Sequence, residues 1–376
     1  MNKKIIRLSY PKIDLKVLKT IKKILKSGYL TQGEIAKKFE LLVSNYLGVK
    51  HAVATSSCTT ALHLTLHSLG VGNGDEVIIP DFTFPATANA VIQSGAVPKI
   101  VDVKRNTFNI DPMKIEEAIT NKTKAILIVH VFGMCVEMTQ INEIAKKHNL
   151  FVIEDSACAI GSVYKGKKAG NLGDVACFSF HPRKVITTGE GGMITTQDAQ
   201  LSEKIRRLAS HGSVRNPEQN FKSTFIDFGF NYRMSDLNAA LGLVEMERID
   251  KVIEKRRKLA QKYIEILKNH TMIQIQEELP FIKSNYQAFV LILDSRIDRD
   301  SVIRRMNKEG IETTIGTYSL VSEPVFSEFD VGQVTVSKSL AKSSIALPLH
   351  ENISFRDINF ITCALKNIIR ELVEQK

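Results

Sequence analysis

Six short apolar runs, separated by stretches of helical character, occupy the first half of the chain, and this alternation restricts the architecture more than any other feature. They are HAVAT (51–55), EVIIP (76–80), VPKIVDV (97–103), AILIVHVFG (125–133), FVIED (151–155) and VACFSF (175–180). Short, nearly unbroken apolar runs read as strands buried on both faces. Between them, 56–70, 81–95 and 138–148 carry helix-forming patterns, and 199–210 follows the last run. Strand and helix in alternation give a mostly parallel, doubly wound sheet.

In such sheets ligands bind beyond the carboxyl ends of the strands. The run at 151 ends in Glu154-Asp155, and the run at 175 ends in His181-Pro182-Arg183-Lys184. Asp155 and Lys184, 29 residues apart, are therefore expected in one crevice. A lysine on a Gly-punctuated turn forms a Schiff base with an aldehyde when burial or cationic neighbours lower its pKa. A carboxylate facing a pyridine nitrogen keeps that nitrogen protonated and makes the ring an electron sink, so the two residues together describe a pyridoxal phosphate site. Taken alone, the pair is better explained by an aspartate capping a turn and a lysine in solvent. The rest of the chain shifts the balance.

The helix beginning SSCTT offers hydroxyls at Ser56, Ser57, Thr59 and Thr60 beside free backbone N–H groups. That chemistry suits a phosphate and suits plain N-capping equally. Phe82 and Phe84 follow the strand at 76–80, where one of them can stack on a flat ring, although a core position is the commoner fate of phenylalanine. The helix at 34–47 is expected to bury Ile35, Phe39, Leu42, Val43, Tyr46 and Leu47. Residues 213–235 have little periodicity and read as a long functional loop, and 235–267 reads as one helix linking two domains. Beyond it, 285–293, 300–310, 311–318 and 355–373 make a smaller α/β unit. Domain limits of 1–245 and 246–376 follow.

The remaining composition excludes several classes. No apolar run is long enough to span a bilayer, and the N-terminus lacks the apolar core of a signal peptide, so a cytoplasmic protein without membrane contact is expected. Five scattered cysteines show neither a zinc spacing nor a disulfide framework. The net charge of +11 is spread over amphipathic helices, with no basic arm and no helix-turn-helix, which argues against nucleic acid as a partner.

The motifs TSSCTTALHLTL, PDFTFPATANAV, IEDSACAIGSVYKGKKAG, CFSFHPRKVITTGEGGM and GFNYRMSDLNAALG, in this order, resemble those of the pyridoxal-phosphate-dependent nucleotide-sugar aminotransferases of the DegT/DnrJ/StrS group. The resemblance runs from SGYLTQG (27–33) to PLH (348–350). It implies the fold type I aminotransferase architecture: a mostly parallel seven-stranded sheet flanked by helices, plus a smaller C-terminal α/β domain. It implies Lys184 as the Schiff-base lysine and general acid/base, and Asp155 as partner of the pyridine nitrogen. It favours Phe84 over Phe82 as the stacking ring. Ser57, Cys58, Thr59 and Ser179 match the phosphate turn and its hydroxyl donor, and Cys158 a cofactor contact. Asn231 matches a phosphate ligand supplied by a neighbouring subunit, which implies a homodimer with shared sites. Tyr29, Thr31, His181 and Tyr318 fall at substrate-side positions.

The implied activity is transfer of an amino group from L-glutamate to a nucleotide-linked keto-sugar, such as a 4-keto-6-deoxy hexose, of the kind used in polysaccharide biosynthesis. Three positions depart from the pattern: Cys58 stands for Gly, Cys158 for Gln, and Thr317 for the His of a His-Tyr pair. Related sugar dehydratases carry His in place of the lysine, so Lys184 disfavours that branch. A cyclitol or other ketone as acceptor stays open, as does a pyridoxal-phosphate-binding regulator without turnover.

Overall fold

A computed structural model describes residues 5–215, 222–329 and 334–374. The six apolar runs and a seventh strand that does not read as such a run, Gly192–Thr196, form one sheet, in the spatial order His51–Thr55, Gly192–Thr196, Val175–Ser179, Phe151–Asp155, Thr123–Val129, Glu76–Pro80, Val97–Val101. Neighbours are parallel except along Gly192–Thr196, which runs antiparallel to both of its partners. Side chains alternate between the two faces with the strand period of two. Val77, Ile79, Leu127 and Val129 pack with the helices Cys58–Ser68, Ala86–Gln93 and Ala199–Leu208. Ile78, Ile126, Ile128 and Val152 pack on the opposite face with the helix Met138–His148. Both faces are covered, which is why polar positions in these runs are few and lie mostly at the strand ends.

Glu34–Leu47 is helical as expected, but it buries Ala36, Phe39, Glu40, Val43, Ser44 and Leu47, while Leu42 is exposed. The cause is Glu40. Its carboxylate accepts from Ala54 N at 2.8 Å and pairs with both terminal nitrogens of Arg206, at 3.1 and 2.9 Å, so the helix is rotated to carry that acid inward. The helix start is capped from far along the chain, with Asp236 Oδ1 accepting from Gly33 N and Ala36 N at 2.9 and 3.0 Å.

The single helix expected over 235–267 is two helices, Asp236–Met246 and Ile249–Leu267. At the break Arg248 leaves helical geometry, and its guanidinium donates to the Lys12 carbonyl and reaches Glu245 and Glu351. The loop expected over 213–235 holds a short hairpin, Ser213–Arg215 with Ser223–Phe225. Its tip, residues 216–221, lies outside the described residues.

After Leu267 a four-stranded antiparallel sheet forms, in the order Ile273–Ile275, Phe289–Leu293, Ser344–Leu347, Thr314–Ile315. Its core joins the helices Ile249–Leu267, Arg299–Lys308 and Phe355–Glu374, and it also takes Ile6 from the N-terminal segment. That segment is tied in place by Ile6 N to Gly310 O at 2.8 Å and by Leu349 N to Leu8 O at 3.4 Å. In the other direction, Tyr318–Ser319 pairs antiparallel with Phe82–Thr83, beside the carboxyl edge of the large sheet.

Candidate active site

The carboxyl ends of the central strands open into a cavity of about 570 Å³. Ser57, Cys58, Thr59, Phe84, Asp155, Cys158, Ser179, His181 and Lys184 all line it. Acid and amine thus meet in one crevice because their strands, Phe151–Asp155 and Val175–Ser179, are parallel neighbours.

Asp155 is buried where its strand ends. Its Oδ2 accepts from the Thr87 hydroxyl at 2.9 Å and its Oδ1 from Ala157 N at 3.1 Å. Burial pushes its pKa above the ordinary value, against those hydrogen bonds and the Lys184 charge. A buried acid of this kind gains most from a cationic partner inside the cavity.

Lys184 sits on a tight turn, with its N–H donating to His181 O at 2.8 Å. Its Nζ donates to Cys158 Sγ at 3.2 Å. Burial penalises the ammonium, but the Cys158 sulfur, Cys58 and Asp155 outweigh that penalty and raise the pKa. The expectation of a lowered value is therefore not met in the protein alone, because the amine's neighbours are sulfur and carboxylate groups rather than cations.

At the helix start Ser57 does cap, with its Oγ accepting from Thr60 N at 3.1 Å and its N–H donating to Thr60 Oγ1 at 3.1 Å. Capping stops there. The next two N–H groups, of Cys58 and Thr59, have no hydrogen-bond partner among the described residues and belong to the first turn of the helix. The two readings of this turn are thus compatible: one residue caps, and its neighbours present donors to an anion. Gly192 backs the turn so closely that a Cβ there would lie 2.3 Å from Ser57 O.

The phenylalanines separate cleanly. Phe82 is 1% exposed and packs edge-on against Phe108 and Phe132. Phe84 is 63% exposed at the cavity wall, where the Tyr318 ring meets it edge-on at 6.2 Å. Four of the substrate and cofactor positions named from the motifs, Tyr29, Thr31, Asn231 and Tyr318, do not line the cavity of this chain, and Tyr318 only touches its wall through Phe84. Tyr29 is 81% exposed and Thr31 is exposed. Asn231 is exposed as well, held in a bridge to Ser210.

Several contributors escape sequence reasoning. Thr87, in the first turn of Ala86–Gln93, fixes Asp155; a hydroxyl three residues after Phe84 is the signal that was available. Leu8 and Ser9 come from the N-terminal segment, and Arg256 and Gln287 from beyond residue 245, and all four line the cavity. Behind Asp155, Glu154 is fully buried and takes His130 Nε2 at 2.9 Å, with Gly170 N, Leu172 N and Gly173 N at 2.7 to 2.8 Å. His130 Nδ1 accepts from Val136 N at 3.0 Å, so the ring is the Nε2-protonated tautomer. These donors offset the burial of Glu154 and hold its pKa below the ordinary value.

As a donor set the cavity offers hydroxyl and N–H groups for a phosphate, an amine for an aldehyde, a buried acid for a ring nitrogen and an exposed aromatic face. Pyridoxal phosphate has the complementary parts, and the residues fit it. Comparison with known proteins agrees. Residues 11–366 match the model of the DegT/DnrJ/EryC1/StrS aminotransferase family. The chain is 38% identical over 347 residues to GDP-perosamine synthase of Caulobacter vibrioides, covering 90% of this chain and 91% of the relative. It is 34% identical to UDP-4-amino-4,6-dideoxy-N-acetyl-beta-L-altrosamine transaminase of Campylobacter jejuni, covering 98% of each. Among solved structures it resembles the PLP-form of the putative sugar aminotransferase Spr1654 from Streptococcus pneumoniae, with TM-score 0.93 and 26% identity over 98% of this chain and 99% of that one. The chain belongs to the DegT/DnrJ/EryC1/StrS family and is a pyridoxal-phosphate-dependent aminotransferase.

Proposed function

We propose that this protein moves an amino group from L-glutamate to the keto group of a nucleotide-linked sugar, a 4-keto-6-deoxy hexose, in two half-reactions, with the spent donor leaving before the sugar enters. The substrates named for the Caulobacter and Campylobacter relatives support the acceptor class. The observation that carries the reading is the placement of Lys184, Asp155, Phe84 and the Ser57–Thr59 turn on one cavity.

When bound, pyridoxal phosphate supplies the aldehyde that carries nitrogen between substrates and the ring that takes up electrons. The protein's part is binding, orientation and proton movement. Ser57, Cys58, Thr59 and Ser179 hold the phosphate, and Phe84 covers one face of the ring. Asp155, clamped by Thr87 and Ala157, presents its charge to the ring nitrogen. Lys184 Nζ moves a proton between the substrate carbon and the cofactor's C4′ within each half-reaction. His181 and Tyr318 face the substrate.

Asn231, Tyr29 and Thr31 act in the site of a second copy, making a homodimer with shared sites. Support comes from the segment before Asn231, where Phe225, Ile226 and Phe228 are exposed, an apolar patch that suits a partner subunit.

The test is a mass-read screen. Protein, cofactor and glutamate are mixed with a panel of nucleotide 4-keto-sugars. An aminated nucleotide sugar together with 2-oxoglutarate supports the reading. Cofactor that binds but is altered by no amino donor favours a regulatory protein instead.

A further inference from the structure

Thr317 puts a hydroxyl on the cavity wall and gives it nothing to bond to. The residue lines the cavity, is 8% exposed, and its side chain has no hydrogen-bond partner among the described residues. Thr313 Oγ1 and Ser344 Oγ nearby also lack partners, but they are sealed inside the protein, whereas Thr317 opens on the cavity.

The backbone holds Thr317 from both sides. Before it, Thr314–Ile315 pairs with the strand Ser344–Leu347 of the small sheet. Gly316 lets the chain press against that sheet, since a Cβ there would lie 2.7 Å from Ser344 Oγ and 3.0 Å from Val290 Cγ1. After it, Tyr318–Ser319 pairs with Phe82–Thr83 beside the large sheet. Leu320 N then donates to Asp81 O at 3.0 Å, and Val321 N to Asp81 Oδ1 at 2.9 Å. Thr317 therefore sits on the crossing between two anchored strands, and its position is set before any ligand arrives.

A buried polar group without a partner costs free energy until something completes it. What can complete this one is limited. A threonine hydroxyl is uncharged and serves as one donor and as an acceptor. The strand offers the cavity Thr314, Ile315, Gly316 and Thr317, an uncharged run in which Thr317 is the most buried. A phosphate or carboxylate calls for several donors or a cation. The parts of the cofactor are matched elsewhere, by the Ser57–Thr59 turn, Asp155, Lys184 and Phe84. The group that suits Thr317 is neutral and can both give and take a hydrogen bond, as a sugar hydroxyl can.

We propose that Thr317 is a specificity-determining residue that hydrogen-bonds a ring hydroxyl of the acceptor sugar. The protein then selects a sugar that keeps this hydroxyl over its deoxy counterpart. This rests on the reading of the acceptor as a nucleotide-linked keto-sugar. Thr317 is one of the three positions at which the chain departs from the pattern of its family, so the selection is particular to chains with a hydroxyl here.

The test uses the cofactor-loaded enzyme and the nucleotide 4-keto-6-deoxy hexose that the wild type aminates fastest. Its kcat/KM is compared with those of its 2-deoxy and 3-deoxy analogues, in the wild type and in Thr317→Val, Thr317→Ala and Thr317→Ser. One hydrogen bond to a buried neutral group is worth roughly tenfold. The wild type and Thr317→Ser should favour the parent sugar over one of the analogues by about that factor, and Thr317→Val by less than about threefold. Thr317→Ala also lacks the hydroxyl and serves if Thr317→Val does not fold. The donor step is measured separately, by the loss of the cofactor's visible absorbance with L-glutamate. Variants without the hydroxyl that keep the wild-type ratios overturn the proposal and leave Thr317 to bind water. A donor step slowed as much as the acceptor step overturns it in favour of a cofactor contact. A wild type that aminates the parent and both analogues equally well overturns the proposal alone, with the acceptor class intact. If the wild type aminates no nucleotide keto-sugar, the acceptor reading falls, and the role of Thr317 falls with it.

Discussion

The Thr87 hydroxyl donates to Asp155 Oδ2 at 2.9 Å, and that bond aims a buried carboxylate into the cavity. Thr87→Val keeps the side-chain volume but leaves Oδ2 unpaired. An unsatisfied buried acceptor costs about 1–3 kcal/mol. The cofactor-free variant is therefore expected to unfold at lower urea concentration than wild type. Bound cofactor offers Asp155 a cationic partner, so the gap should narrow on loading. Equal midpoints without cofactor would contradict the role given to Thr87.

The Lys184–Cys158 contact at 3.2 Å makes a prediction about pH. Cys158 and Asp155 raise the Lys184 pKa, so the amine is less available than an ordinary lysine at any pH below it. Cofactor attachment needs the neutral amine, so its rate should climb as pH rises. Cys158→Ala removes a partner of the ammonium and lowers the pKa. Attachment at pH 8 should then speed up by roughly fivefold, the worth of one hydrogen bond. Stopped-flow absorbance measures it, and an unchanged rate would show that the sulfur does not hold the amine.

Glu154 should govern acid stability. Its pKa is held below the ordinary value by His130 and by backbone N–H groups, among them those of Gly170 and Gly173. The stability it contributes is fully present above the unfolded pKa and is lost as pH falls through the folded one. In Glu154→Gln one end of the side chain becomes NH₂, facing either the N–H groups of Leu172 and Gly173 or those of Gly170 and His130. Leaving buried N–H donors without an acceptor costs about 1–3 kcal/mol. The variant should be less stable at pH 7 and show a shallower loss below pH 4.5, the ordinary value for glutamate. Melting curves across pH 3–7 (roughly the span in which carboxylates titrate) test this.

Gly192→Ala would place a Cβ 2.3 Å from Ser57 O and 2.6 Å from Thr55 Oγ1. The neighbouring backbone must move, at a cost of about 1–3 kcal/mol. The displaced piece is the turn that presents the Cys58 and Thr59 N–H groups. Cofactor affinity should therefore fall more than global stability does. Calorimetric titration of the cofactor-free variant with pyridoxal phosphate checks this.

Six strands of the large sheet were legible because both of its faces are covered, so they are written as nearly unbroken apolar runs, whereas Gly192–Thr196, with Gly and two Thr in five residues, carries no such run. Asp155 and Lys184 were legible for a related reason: strand ends set where a side chain arrives, and order along the chain sets which ends meet. The burial of Glu40 was not, since an acid on an amphipathic helix is normally solvated and only the distant Arg206 brings it inside. The break at Arg248 was hidden in the same way, because residues 235–267 carry continuous helical character and the residues that pull the chain aside lie near positions 12 and 351. Arg256 sits in a Lys/Arg-rich helix where every cation looks alike, and only packing singles it out. The sign of the Lys184 shift depends on Cys158, 26 residues away, at a distance that spacing does not reveal.

The most direct measurement is to load the protein with pyridoxal phosphate, reduce it with borohydride, digest it and map the adduct by mass. The account predicts a single pyridoxyl group on Lys184, with the adduct gone in Lys184→Ala and formed at lower cofactor affinity in Asp155→Asn. A group on another lysine, or none on the wild type, would contradict it.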